Sequence, residues 1–190
     1  MPAAFDVKLD IGGSDGSPGQ SLTVTNLRMK TADDNDQDTN NPVPIVAGYT
    51  KRSFWRSVYL KCTTAPPTKC DNVKFYTDGT PFGTGIVLYA GEQFPTKNSG
   101  SSSGYEKADG TVGDTGDEMV AGHGGLTSKV DVFTKTQGTP LSGPTISESG
   151  GIINAIDETT NYLILQLEVI DTATAGTLTA ETMTFQYDEV

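Results

Sequence analysis

The sequence is poor in the side chains that most enzymes and metal sites use, because it contains only one histidine and two cysteines. A Ser-His-Asp or Cys-His catalyst would have to use His123, which stands among glycines, and no Gly-x-Ser-x-Gly nucleophile elbow accompanies it. Cys62 and Cys70 match no zinc-site spacing. The one enzymatic alternative is a glycoside-acting pair of facing carboxylates, since separation in space is not visible in a sequence. We expect a protein that is not an enzyme.

Positive charge and long apolar runs are also scarce. The chain has 13 lysines and arginines against 24 aspartates and glutamates, which gives a formal net charge of -11. Such a surface repels phosphate backbones and anionic membranes, so we expect neither nucleic acid nor a membrane as a direct partner. No apolar run approaches the roughly 20 residues of a membrane-spanning helix. The N-terminal residues lack the basic and apolar regions of a signal peptide, which predicts synthesis in the cytoplasm without an export signal.

Helical periodicity is nearly absent, whereas apolar and polar residues alternate repeatedly. The alternating runs lie at residues 5–11, 22–27, 53–63, 73–76, 86–89, 130–133, 163–170 and 183–187. Apolar side chains on both sides of the run at 53–63 indicate a central strand. About eight or nine short strands separated by glycine-rich turns predict an antiparallel β-sandwich, of immunoglobulin-like or jelly-roll type.

The predicted organisation is a single domain over residues 1–190, with a long loop excursion at about residues 91–125. The excursion is rich in glycine, serine and aspartate, the residues of turns and flexible segments. A domain boundary there would leave the C-terminal strands with too few partners. The runs at 163–170 and 183–187, joined by small residues, predict an antiparallel hairpin. The only candidate for a helix is a short one near residues 152–157, and the two glycines that precede it disfavour it.

An acidic loop at residues 33–38 places oxygen ligands at alternating positions, as calcium sites often do: Asp34, Asp36 and Asp38. The loop departs from the EF-hand pattern, because Thr39 stands where that loop needs glycine and Ile45 where the bidentate glutamate belongs. Two interpretations stay open, a calcium site outside the EF-hand class and a solvated acidic turn. We expect no cofactor other than this calcium. The same two interpretations apply to a second acidic stretch with Asp114, Asp117 and Glu118.

The two cysteines and four aromatic residues are further candidates. If the strand through Cys62 pairs with the strand that begins at Asp71, Cys62 and Cys70 face each other across the mouth of a hairpin. A disulfide there is sterically allowed and would stabilise by roughly 2–3 kcal/mol, whereas a cytoplasmic protein would keep two reduced thiols. The aromatic residues either form an exposed platform for stacking sugars or fill the core or an oligomer interface: Trp55, Tyr59, Tyr76 and Tyr89.

Part of the chain resembles known β-sandwich proteins. Residues 55–61 (Trp-Arg-Ser-Val-Tyr-Leu-Lys), 71–79 (Asp-Asn-Val-Lys-Phe-Tyr-Thr-Asp-Gly) and 83–88 (Gly-Thr-Gly-Ile-Val-Leu) resemble β-sandwich structural proteins encoded among the virion genes of tailed phages or prokaryotic viruses. Residues 175–189, a threonine-rich alternating run, resemble the last strand pair of immunoglobulin-like repeats in prokaryotic surface proteins. Together these segments cover less than half of the chain, and no functional residue is carried over from either family.

The first resemblance implies a virion structural protein, such as a capsid decoration (cement) protein or another head or tail accessory protein. It would stabilise the particle by contacts with capsid or other virion proteins, as a homo-oligomer for which a trimer is favoured. Its location would then be the virion. The alternative function is a carbohydrate-binding or adhesive module at the cell surface, with calcium-dependent binding.

Overall fold

The computed structural model describes residues 1–92, 94–111, 115–119, 126 and 129–190. These residues confirm the predicted fold class, because antiparallel sheets pack against each other as a β-sandwich. The strands, numbered in chain order, are β1 (Ala4–Ile11), β2 (Gln20–Thr23), β3 (Lys51–Arg52), β4 (Arg56–Thr64), β5 (Cys70–Tyr76), β6 (Ile86–Gly91), β7 (Gly110–Thr111), β8 (Thr115–Gly116), β9 (Lys129–Asp131), β10 (Leu141–Ser142), β11 (Leu163–Val169) and β12 (Thr184–Glu189). Two 3-10 turns lie at Val132–Thr134 and Ser149–Gly151.

The larger sheet has seven strands in the order β2-β1-β4-β11-β6-β9, with β3 beside the second half of β11. Strand β4 lies between β1 and β11, so the prediction of a central strand at residues 53–63 is confirmed. The register places Val58 opposite both Leu9 and Leu163, so that their side chains share one face of the sheet. This face is the inner one and contributes most of the core.

The smaller sheet has three strands in the order β10-β5-β12, and β7 pairs with β8 in a separate two-stranded ribbon. In β5, Phe75 lies opposite both Leu141 of β10 and Phe185 of β12. Phe75 is fully buried, and its ring centroid lies 5.2 Å from that of Phe185. The main core fills the space between the two sheets, since Phe75 and Leu141 belong to the same buried cluster as the inner face of the larger sheet.

The outer face of the larger sheet is also covered. Residues 94–111, 115–119 and 126, here called the outer layer, contribute Tyr105, Ala108, Met119 and Leu126 to a second buried cluster. From the sheet this cluster receives Trp55, Tyr59, Tyr162 and Ile164. Strands β4 and β11 carry apolar residues on both faces because each strand lies between two apolar layers.

The predicted hairpin between residues 163–170 and 183–187 is wrong. Strand β11 pairs with β3, β4 and β6 in the larger sheet, whereas β12 pairs with β5 in the smaller one. The connecting residues 170–183 therefore pass from one sheet to the other. Alternation reports which face of a strand is buried but does not identify the neighbouring strand.

The candidate helix near residues 152–157 is not formed. The chain instead makes the 3-10 turn at Ser149–Gly151, where Gly150 and Gly151 have φ angles of 81° and 70°. Ile153 then forms an isolated bridge with Cys70, donating its N–H to the Cys70 carbonyl and accepting from the Cys70 N–H. Two left-handed glycines interrupt any helix before it can begin.

Candidate functional site

The acidic loop is occupied by a lysine. The ammonium Nζ of Lys30 lies 2.7 Å from Oδ1 of Asp34 and 2.9 Å from Oδ1 of Asp38, and the Lys30 side chain is only 5 % exposed. Oδ1 of Asp34 also accepts from the backbone N–H of Asp36. Nowhere in the described ranges do three or more aspartate, glutamate, histidine or cysteine side chains form a group that could hold a metal ion. The calcium interpretation stays an untested prediction, and the geometry assigns these carboxylates to Lys30.

The charges of this loop influence one another. Burial alone would lower the pKa of Lys30, but its hydrogen bonds with Asp34 and Asp38 outweigh that effect and raise the pKa above its usual value. The hydrogen bond from Lys30 lowers the pKa of Asp38. Lysine and aspartate therefore stabilise each other's charged forms across the acidic loop.

A buried arginine fixes the start of this loop to the sheet. Arg56 of β4 is fully buried and donates from Nε to the Arg28 carbonyl at 2.7 Å and from Nη2 to the Ala32 carbonyl at 2.9 Å. Burial lowers the pKa of Arg56 to about 10. Asp33 accepts from the backbone N–H of Gly12 at 2.7 Å. The hydrogen bonds of Arg56 therefore fix residues 28 and 32 to the larger sheet, and the hydrogen bond of Asp33 fixes the next residue to Gly12.

The two cysteines lie on different sheets, so the predicted hairpin geometry for Cys62 and Cys70 is wrong. Cys62 belongs to β4 and Cys70 to β5, and both are buried in a third apolar cluster with Ala3 and Ile153. Both are free thiols in this structure, and the disulfide stays a prediction. Burial raises the pKa of Cys62, and burial together with the charge of Glu189 raises the pKa of Cys70 to about 11. Protonated, inaccessible thiols are poor nucleophiles.

Of the two interpretations of the four aromatic residues, the structure places most of them in a buried cluster and not on an exposed platform. Trp55 and Tyr59 are only 4 % and 3 % exposed beneath the outer layer, and Tyr89 packs against the same cluster. Tyr76 lies on the smaller sheet, in a shallow groove of about 440 Å³ that threonines such as Thr136 also line. The four aromatic residues do not share a surface, because three of them fill the layer outside the larger sheet.

Polar side chains of the sheet fasten the outer layer. The fully buried amide of Gln166 in β11 donates to the carbonyls of Ser53 and Asp117 at 2.9 and 2.6 Å and accepts from the backbone N–H of Met119 at 3.0 Å. Gly116 fits so closely that an added Cβ would lie 2.0 Å from the Ser53 carbonyl oxygen. Alternation did not predict this role of Gln166, because a glutamine between apolar strand residues normally faces solvent.

A buried polar group lies beneath the outer layer. Tyr162 donates from its hydroxyl to Oδ2 of Asp10 at 2.5 Å, and Nζ of Lys97 lies 3.8 Å from the same oxygen. The Lys97 ammonium stands 4.8 Å from the centroid of the Tyr59 ring. Burial raises the pKa of Tyr59 to about 12 and lowers the pKa of Lys97, and burial with the Asp10 charge raises the pKa of Tyr162. The arrangement is an internal polar contact between the sheet and the outer layer.

Four charged residues form a network of ion pairs that links the outer layer to the outer face of the larger sheet. Lys129 binds both Glu118 and Glu168, and Arg52 lies 3.0 Å from Glu168 and 3.4 Å from Glu118. The hydrogen bond from Lys129 lowers the pKa of Glu118. In the second acidic stretch, the Asp117 carbonyl thus accepts from the sheet and Glu118 is paired with cations. Asp114 and His123 lie outside the described residues.

Two exposed features of the surface could contact another protein: a group of apolar side chains and the outer edge of β12. Ile45, Tyr49 and Ile170 are exposed large apolar side chains, and the segments that carry them are joined by a hydrogen bond from the Gly48 N–H to Asp171 at 2.9 Å. The smaller sheet ends at β12, whose outer edge pairs with no strand in the part of the chain that the structure describes.

Comparisons with known proteins identify no relative. No helix within the described ranges has the length and apolar character needed to span a membrane. No protein-family model matches the chain, and no curated protein or solved structure shows significant similarity to it.

Proposed function

We propose that this protein is a virion structural protein, a capsid decoration (cement) or other head or tail accessory protein that acts through protein–protein contacts. One observation carries the proposal. The chain's long loops cover its own larger sheet, while the smaller sheet keeps a six-residue edge strand, β12, which pairs with β5 on one side and with none of the described strands on the other. A rigid sandwich with an open edge is suited to presenting surfaces to neighbouring subunits.

Two further features support this function. The segments that resemble virion β-sandwich proteins, residues 55–61, 71–79 and 83–88, coincide largely with β4, β5 and β6. The net charge of -11 suits a protein on the outside of a shell, away from the packaged genome. Exposed apolar side chains such as Tyr49, which is 65 % exposed, would become buried against a neighbour.

The mechanism follows from mass action. A protein that binds the assembled shell, and not its dissociated subunits, shifts the equilibrium toward the shell. Repeated copies on a symmetric lattice can each make a weak contact and still bind firmly, because contacts within one assembly benefit from a high effective concentration. Neither step needs a reactive side chain.

The test uses the genes that neighbour the coding sequence. The major shell protein encoded there is assembled in vitro and mixed with the purified protein, and the mixture is sedimented through a density gradient. We expect the protein to move with the shells and to raise their melting temperature. If it stays at the top of the gradient while shells assemble normally, the proposed function is wrong.

The alternative function, a carbohydrate-binding or adhesive module, required an exposed aromatic platform. Trp55 and Tyr59 are buried, so no observation among the described residues favours that function. A glycan array with calcium and with a chelator tests it directly, and calcium-dependent binding to a glycan would favour it over the virion function.

A further inference from the structure

Strand β12 is the longest open edge in the described part of the chain. It has six residues, compared with four in β2, three in β9 and two in each of the other described strands that pair on one side only, β3, β7, β8 and β10. Unpaired N–H and C=O groups along such an edge are a template for another strand.

Most of this edge lacks the usual protection against pairing. Its sequence, Thr-Phe-Gln-Tyr-Asp-Glu, contains neither proline nor lysine, and its two charged residues stand together at the C-terminal end. The register shifts between Gln186 and Asp188, but the extra residue is in β5, where Asn72 has a φ angle of 51°. The bulge therefore leaves β12 itself regular and able to accept a neighbour along its length.

We propose that β12 pairs antiparallel with β12 of a second copy of this chain, around a two-fold axis at Gln186. The two smaller sheets would then join into one six-stranded sheet with the order β10-β5-β12-β12-β5-β10. This inference deepens the proposed function, on which it rests, by naming the first contact that a repeated subunit would make.

The charge and face pattern of β12 selects this register. Phe185 and Tyr187 pack toward the core, so both copies keep their inner faces aligned only if the axis passes through a residue and not between two. With the axis at Gln186, Asp188 lies opposite Thr184, and Phe185 lies opposite Tyr187. An axis at Phe185 would overlap only three residues of the strand, and an axis at Tyr187 would set a carboxylate opposite an aromatic ring. An axis at Asp188 would place two carboxylates opposite each other, which is unfavourable. Only the axis at Gln186 pairs five of the six residues, sets aromatic rings opposite each other and keeps the acids apart, in a chain that carries a net charge of -11.

The experiment places charges at the axis. Gln186 is exposed, so Gln186→Lys and Gln186→Glu are compatible with the monomer fold, which the melting temperature of each variant verifies. Sedimentation equilibrium of the wild-type chain at low salt should show a dimer that dissociates on dilution. Each variant alone should dimerise roughly five-fold or more weakly, because two like charges face each other. An equimolar mixture of the two variants should restore the dimer.

The Gln186→Lys variant makes the test sharp. The variant carries less net negative charge than the wild-type chain. If only general repulsion between acidic chains controlled self-association, the variant would therefore associate more strongly. Pairing of β12 around Gln186 predicts the opposite, because two lysines would face each other. Gln20→Lys is the matched control, because Gln20 is exposed on the edge strand β2 of the other sheet and should not affect the dimer.

The outcomes separate this inference from the proposed function. A wild-type chain that stays monomeric at every concentration, or a Gln20→Lys effect equal to that of Gln186→Lys, overturns pairing through β12. A monomeric chain that still sediments with shells overturns only the pairing. A dimer that responds to the Gln186 variants but never binds shells supports the pairing and overturns only the virion role.

Discussion

At the scale of single residues, Lys30 is the cation that the structure places in the acidic loop. One ammonium group pairs with both Asp34 and Asp38 while lying almost completely inside the protein. The lysine precedes the loop in a stretch without a strand pattern, so no spacing rule pointed to it. The lysine is the buried member of this group, since the side chains of Asp34 and Asp38 are 34 % and 39 % exposed. A buried charge is costly to leave unpaired.

Replacing Lys30 with methionine should destabilise the protein. The apolar stem is retained, but Asp34 and Asp38 lose their shared cation and repel each other, so we expect the melting temperature at neutral pH to fall by roughly 2–4 °C. Scanning calorimetry measures the change. Lys61→Met is the control, because the Lys61 pair with Asp157 is largely solvent-exposed and should contribute little.

The same variant should alter the acid side of the stability profile. Lys30 lowers the pKa of Asp38 below its ordinary 3.8. The stability that this ion pair adds is therefore present above pH 3.8 and is lost as the pH falls through the lower pKa of the folded state. The difference in melting temperature between the wild-type and Lys30→Met chains should become smaller in strong acid. A rise in wild-type melting temperature on adding calcium would contradict the assignment of this loop to Lys30.

Several important residues could not be identified from the sequence. Asp10 and Gln166 alternate with apolar neighbours, a pattern typical of side chains that face water, yet both are buried beneath the outer layer. Lys97 lies in a segment with flexible-linker composition but stands against the ring of Tyr59. Apolar residues on both faces of β4 indicated that both faces are covered, but nothing in the sequence identified the segment that covers the second one.

At the scale of elements, the sequence predicted strands better than their partners. Alternation located β1, β4 and β11 because a half-buried or fully buried strand must place apolar side chains on a fixed face. It failed for the pairing of β11 with β12, since residues 170–183 are long enough to cross between sheets. Topology depends on which apolar faces meet, and that is a property of the whole chain.

The ribbon of β7 and β8 gives an element-scale prediction. Gly116→Ala should destabilise the protein by about 1–3 kcal/mol, because its Cβ would collide with the Ser53 carbonyl oxygen, and backbone cannot move aside easily. Urea unfolding measures the change. Gly176→Ala is the matched control, because an added Cβ there meets no atom within 4 Å. Equal stability of the two variants would show that the outer layer is not closely fitted against Ser53.

At the scale of the whole molecule, the two sheets also meet at the cysteine cluster. Cys62 enters it from the larger sheet and Cys70 from the smaller one, and Tyr187 of β12 packs against them. The cluster therefore couples the edge strand to the body of the sandwich. A thiol that ionised there would place a charge between the sheets.

The pKa of Cys70 predicts an alkaline loss of stability. The pKa is raised from 9.0 to about 11, so the protonated thiol stabilises the fold below pH 9, and this contribution is lost as the pH rises toward 11. We expect a loss of up to about 2 kcal/mol over this range, and a shallower one in Cys70→Ala. Chemical unfolding at several pH values measures both slopes.

Equal alkaline slopes in the wild-type and Cys70→Ala chains would contradict this prediction. Tyrosines with raised pKa, such as Tyr59 and Tyr187, lose protons at high pH in both chains, so only the difference reports on Cys70. Counting reactive thiols in the unfolded, unreduced protein distinguishes two free cysteines from the disulfide expected from the sequence.

The position of Trp55 gives the molecule a built-in optical probe. It is the single tryptophan of the chain, and it lies just before β4 in the buried cluster between the larger sheet and the outer layer. Its fluorescence emission therefore reports whether the outer layer is packed against the larger sheet, while far-ultraviolet circular dichroism reports the strand content of the sandwich. Two spectra from one cuvette can separate detachment of the covering from collapse of the sandwich.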